Sequence, residues 1–141
     1  MLLNVSYNDS EITKKIDREV GKPFTLKERW AMKGIGSPKL SITETSIEIR
    51  NLLILDNNRD TCNIEIRPAG IIVRFRSLLE TFTLVIPYYK LKIHKGDIAV
   101  YTIYRDTYFI KVRSDTKAVR EFFKKILDHK IGNTPNLPED L

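Results

Sequence analysis

The sequence predicts a mainly β (α+β) fold, an antiparallel sheet closed by one C-terminal amphipathic helix and preceded by short N-terminal helices. Three observations carry that prediction. Between Leu40 and Arg113 the apolar residues largely alternate with polar ones, the period of a pleated strand. Beyond Ser114 they recur at helical spacing on one face, and before Gly34 they do so in two shorter runs. The 141 residues, 42% of them hydrophobic and 30% charged, suit one globular core rather than a disordered chain or two ordinary domains.

The first run, Ser10 to Val20, sets Ile12, Ile16 and Val20 four apart and stops at Gly21 and Pro23, which predicts a short helix with a narrow apolar stripe. Thr25-Leu26-Lys27-Glu28 reads as a capping box, in which hydroxyl and carboxylate each satisfy an orphan backbone group. A second short helix is therefore expected to about Met32, docked on the core by Phe24, Leu26 and Trp30 and ended by Gly34, Gly36 and Pro38.

From Lys39 the period becomes two. Leu40 and Ile42, then Ile47 and Ile49, flank Thr43-Glu44-Thr45-Ser46, which predicts a hairpin or a bent strand pair. Leu52-Leu53-Ile54-Leu55 reads as a short buried strand, and Asp56 to Asp60 as a loop. Ile64 to Arg67 and Ile72 to Arg76 form a hairpin about Pro68-Ala69-Gly70. Three further strands follow, Thr81 to Ile86, Ile98 to Tyr104 and Tyr108 to Arg113, the last two joined at Arg105-Asp106-Thr107. Ser114 or Asp115 is expected to cap the final helix, whose apolar face is Val119, Phe122, Phe123, Ile126 and Leu127 and whose outer face carries Lys117, Arg120, Lys124 and Lys125.

The stretch IEIRPAGIIVRFRSLLETFTLVIPYYKLKIHKGDIAVYTIYRDTYFIKV, followed by TKAVREFFKKIL, resembles the pleckstrin-homology-like (PH-like) superfold, especially its bacterial and GRAM-related branches. The arginine-ended strand, the Ile86-Pro87 step into a new element and the closing helix carry the likeness over about half the chain. It implies a partly open antiparallel barrel of about six to seven strands, with the helix plugging one end. Such a scaffold binds lipid headgroups, peptides or proteins, and fold alone does not choose among them. The organisation expected is an N-terminal helical extension over 1–38, the PH-like unit over 39–131 and a flexible tail over 132–141.

The net charge of +6 favours anionic partners, although surface charge also serves solubility. In phosphoinositide-binding members of the superfold basic residues flank the first hairpin, and R-P-A-G-I-I-V-R-F-R resembles that arrangement. Arg67, Arg74 and Arg76 are thereby a candidate anion site, because converging guanidiniums suit a phosphate. The plainer alternative is a polar sheet face with Glu65 or Glu80 pairing the arginines. Lys90, Lys92, His94 and Lys95, beside Tyr88 and Tyr89, form a second basic patch that could grip single-stranded nucleic acid, or could simply be the lysine-rich edge of a sheet.

No nucleophile–base motif, phosphate-binding glycine loop or zinc spacing is present in the sequence. One cysteine and two histidines argue against a closed zinc site, and Cys62 reads as a small buried hydrophobe rather than a partner for His94. The expectation is a non-catalytic binding module without cofactor or metal. A protein or peptide is its expected partner, an anionic lipid headgroup or phosphate at the three arginines the alternative, and nucleic acid the least favoured. With no export signal or spanning segment recognisable, a cytoplasmic location is expected, with peripheral membrane contact under the alternative.

Overall fold

The computed structural model describes residues 1–6, 9–55, 60–96 and 99–133. The loop expected at Asp56 to Arg59, the turn at Asp97, the strand start at Ile98 and the tail from Thr134 lie outside those residues. The described elements are β1 (Leu2–Asn4), α1 (Ser10–Val20), α2 (Leu26–Ala31), β2 (Leu40–Thr45), α3 (Ile47–Ile54), β3 (Thr61–Arg67), β4 (Gly70–Ser77), β5 (Glu80–Pro87), β6 (Lys92–Lys95), β7 (Val100–Arg105), β8 (Tyr108–Arg113) and α4 (Lys117–Asn133).

Among the described residues eight strands form one antiparallel sheet in the order β1-β5-β4-β3-β2-β8-β7-β6, so the mainly β, helix-closed architecture holds while the strand count exceeds the expected six to seven. Part of the excess is β1, three residues too short to show a period, which pairs Leu2 with Leu84 and Asn4 with Phe82 on β5. Strand β2 joins the two halves. Its start pairs with β3 (Leu40 opposite Cys62) and its remainder with β8 (Ile42 opposite Val112, Thr45 opposite Ile110), with an irregularity in that second ladder between Ile42 and Glu44. A bulge of this kind bends a strand, which lets one strand serve two partners.

The main core lies on the inner face. Ile64, Ile66, Ile71, Val73, Phe75, Leu84 and Ile86 meet Ile103, Ile110 and Val112 there, and α4 adds Val119, Phe122, Phe123 and Ile126. Phe123 stacks on Tyr101 of β7 with ring centroids 4.4 Å apart. Leu127, placed on that face by helical spacing, is 37% exposed at its margin. The helix is capped by Thr116, whose Oγ1 accepts from Val119 N at 3.3 Å, rather than by Ser114 or Asp115. Ser114 instead stays with the sheet, its N–H donating to Ala99 O. The helix also runs on through Gly132 and Asn133.

Two further expectations are corrected. Ile47 to Leu55 is not strand: Ile47–Ile54 is helix α3, with Ile49 and Leu53 buried four apart and Ile47, Ile54 and Leu55 exposed. A short apolar run is ambiguous by period alone, and here Ser46 starts the turn by exchanging hydrogen bonds with Phe109 of β8. Helix α2 forms with its capping box, but Leu26 (82% exposed) and Trp30 (88%) point away from the protein. Phe24 before the helix and Met32 at its C-cap pack on the core, and Lys125 Nζ adds polar ties to Met32 O (3.0 Å) and Gly34 O (3.2 Å).

Helix α1 covers the outer face of β4 and β5, where Ile16 and Val20 bury Ile72 and Val85 in a second, smaller core. Its C-terminus docks on the β3–β4 turn, with Ala69 N donating to Val20 O at 2.8 Å. A Cβ at Gly70 would collide with the Ile86 carbonyl, the Val20 side chain and Pro87 Cα, so only glycine lets turn, helix and β5 approach this closely. Gly70→Ala is therefore expected to destabilise the fold by about 1 to 3 kcal/mol, as overpacking does, read as a lowered urea midpoint at unchanged slope.

Candidate functional site

Alternation puts Glu65, Arg67, Arg74 and Arg76 on the outer face of the β3–β4 pair, where β3 and β4 run in register with Glu65 opposite Ile72 and Asn63 opposite Arg74. The three arginines share that face but not an environment. Arg67, its side chain 7% exposed, is enclosed under the end of α1. Its Nε donates to Glu65 Oε2, and its Nη1 to Asp17 Oδ1 at 3.2 Å and to the Gly21 carbonyl at 2.9 Å. Arg74 Nη1 donates to the other Glu65 oxygen at 2.7 Å, so one carboxylate bridges two guanidiniums. Arg76 is exposed, with no hydrogen bond or ion pair to another described residue.

Glu65 thus pairs Arg67 and Arg74, while Glu80 accepts from Asn4 instead. Burial by itself would push the Glu65 carboxyl up. The hydrogen bonds from Arg74 and Arg67, together with their charges, outweigh it and hold the group below its ordinary 4.5. Arg74 and Arg76 line a cleft of about 760 Å³ with Lys39, Leu53, Leu78 and Leu79. Leu78 and Leu79 are the β4–β5 turn. Leu79 is 88% exposed, and Leu78 holds φ at +58°, a conformation costly for a branched side chain.

The second basic patch falls on β6, an edge strand that among the described residues pairs only with β7. Lys92, His94 and Lys95 are exposed along it. Lys90 precedes it, 3.8 Å from Asp106 Oδ2 and over the Tyr89 ring. Charged side chains on such a strand hinder pairing with a further strand.

Cys62 faces the inner core and His94 lies on the far edge of the sheet, so the two do not meet. Burial pushes the Cys62 thiol up to about 12, which keeps it protonated and unreactive. Among the described residues no cluster of three or more His, Cys, Asp or Glu is placed to hold a metal ion, and no helix is long and apolar enough to cross a membrane.

Two features escaped the sequence reading. Arg105 at the end of β7 is buried, donating to the Val85 carbonyl and to Glu19 Oε1 at 3.2 Å, a second ionic tie between sheet and α1. An arginine closing a strand, as Arg67 also does, was its only signal. The other is the outward pair Leu26 and Trp30, whose spacing of four looks the same whether the stripe faces core or solvent.

Compared with protein families, with curated proteins and with solved structures, the chain finds no match.

The Glu65 bridge makes a pH-dependent contribution of definite sign. A carboxyl held below its unfolded value stabilises the fold above that value, and the contribution is lost as pH falls through the folded one. Glu65→Gln is expected to lower stability at pH 7 by about 1 to 3 kcal/mol and to flatten the loss of stability below about pH 4.5, measured by urea unfolding across pH.

Proposed function

We propose that the chain is a non-catalytic binding module on a PH-like scaffold, engaging a protein or peptide beside its C-terminal helix. The sheet order supports the scaffold reading: β2 to β5 are successive neighbours, as are β6 to β8, and α4 follows, with α3 inserted between β2 and β3 in the chain. One observation carries the functional reading. Helix α2 is fixed against α4 through Lys125 and the contact of Phe24 with His129, yet it turns Leu26 and Trp30 to solvent. Burying such side chains stabilises by about 1.5 to 3 kcal/mol each, so a helix that leaves both exposed holds them ready for another surface. Tryptophan in that setting is a common anchor of binding energy. The helix flank is a better docking place than the β6 edge, where lysines oppose strand addition.

The double change Leu26→Ser, Trp30→Ser is expected to leave the urea midpoint nearly unchanged, since exposed substitutions shift stability by no more than about 0.5 kcal/mol each. Affinity capture from the native host should lose, with this variant, proteins that the wild type retains. Identical retained sets would refute the reading.

A second reading, binding of an anionic lipid headgroup, is favoured by the exposed Leu78-Leu79 turn beside Arg74, Arg76 and Lys39. Leucines at a tip with cations behind it suit a bilayer of anionic lipid. Arg67 is buried and ion-paired, so it contributes to this reading only by positioning Glu65. The expected outcome is salt-sensitive sedimentation with phosphatidylserine vesicles that Arg76→Ala, Leu79→Ser abolishes and that Lys117→Ala, Arg120→Ala, Lys124→Ala reduces less. Equal loss in both variants would mean that net charge alone is at work.

A further inference from the structure

We infer that the exposed face of α2 docks an acidic segment of a partner protein, one that carries apolar side chains among its carboxylates. The inference rests on the protein-binding reading and names the chemistry of the partner. On a helix, Leu26 and Trp30 lie about 40° apart, while Lys27 falls about 100° to one side of Leu26 and Arg29 about 60° to the other. The apolar pair is therefore flanked by cations on both sides. Lys22 precedes the helix and Lys33 follows it. Glu28, the single acid of α2, points the opposite way and is spent on the capping box, where its carboxylate accepts from Thr25 N at 2.9 Å. No ion pair joins Lys22, Lys27, Arg29 or Lys33 to a carboxylate among the described residues. The site thus has apolar anchors and uncompensated positive charge around them, and its complement is an apolar residue set among carboxylates.

A bilayer is the weaker occupant. Helices that lie on membranes bury a long apolar face, and even a whole myristoyl chain binds only marginally, whereas α2 has six residues and offers two side chains. A peptide adds what lipid does not, namely backbone groups and carboxylates at fixed positions. Part of the rim is fixed too: Arg29 Nε donates to Phe24 O at 3.0 Å, which holds that guanidinium beside the pair.

Trp30 is the chain's only tryptophan, so its fluorescence reports this face alone. The full-length protein is titrated with a synthetic peptide of glutamate and leucine, with its lysine–leucine counterpart, and with phosphatidylserine vesicles. The expected result is a blue shift of Trp30 emission with the glutamate peptide only. Its affinity should weaken with salt, and on the order of tenfold in Lys27→Glu, Lys33→Glu, a variant whose fold is checked by its urea midpoint. Equal shifts with both peptides would make the face merely apolar, and a shift with vesicles but not peptide would make the occupant a membrane; either overturns the inference. So would free protein already blue-shifted, whether it reverts on dilution, meaning a second copy, or in Glu139→Gln, Asp140→Asn, meaning the chain's own acidic end. If neither peptide shifts Trp30 while Leu26→Ser, Trp30→Ser still loses a host partner, the acidic-partner inference fails and the binding-module reading stands.

Discussion

A buried guanidinium needs acceptors and counter-charge on every side, and Arg67 draws them from separate stretches of chain. Glu65 comes from its own strand, Asp17 and the Gly21 carbonyl from α1, and the Arg67 carbonyl in turn accepts from the Tyr88 hydroxyl at 3.2 Å. Removing the Glu65 or Asp17 carboxylate would leave this guanidinium under-compensated in a poorly solvated place, at a cost of about 1 to 3 kcal/mol. The arrangement therefore ties α1, β3 and the exit of β5 into one junction. Gly70 completes it from the other side, since the turn can press against Val20 and Ile86 only without a side chain.

From that junction follows an unusual division of the sheet. Strands β4 and β5 are buried on both faces, the inner by the α4 core and the outer by α1. Arg105 and Glu19 repeat the Arg67 and Asp17 device at another point of contact between sheet and α1. Much of the basic character that would suggest an anion site in the first hairpin is thereby absorbed into structure. Arg76, Lys39 and the leucine turn keep an outward character at one place, and α2 at another. A scaffold whose interior charges are paired can present such surfaces without rearranging, which keeps the ordering cost of binding small.

The two outward surfaces differ in how their residues are held. The Leu78-Leu79 turn is a tight connection in which a leucine accepts a left-handed backbone. Helix α2 is held by a cap at its start, by Lys125 just past its end and by Phe24 and Met32 packed on the core at either end, which leaves Leu26 and Trp30 outward. The C-cap carbonyl of Met32 thus gains a cation, the favourable sign at a helix C-terminus.

Much of the fold was legible because local chemistry specified it. The capping box at Thr25, a turn about Pro68-Ala69-Gly70, the alternation along β3 to β5 and β7 to β8, and the apolar face of α4 all follow from local spacing and turn chemistry. Arginines 74 and 76 sharing a face followed from the same period. Other features depend on what an element meets, which spacing does not record. Ile47 to Ile54 carries both a strand-like and a helix-like pattern, and the contact of Ser46 with β8 selected the helix. Leu26 and Trp30 form a stripe that would serve a core equally well, and the fastening of α2 by Phe24, Met32 and Lys125 turned it outward. Arg67 looked like its neighbours until α1 folded over it. The sequence by itself determined strands β3, β4, β5, β7 and β8, the closing helix and which of their side chains share a face, because those are set within a few residues by backbone period. Which face is covered, and which charge is paired, was decided only when segments distant in the chain came together, because burial and counter-charge are properties of the neighbour.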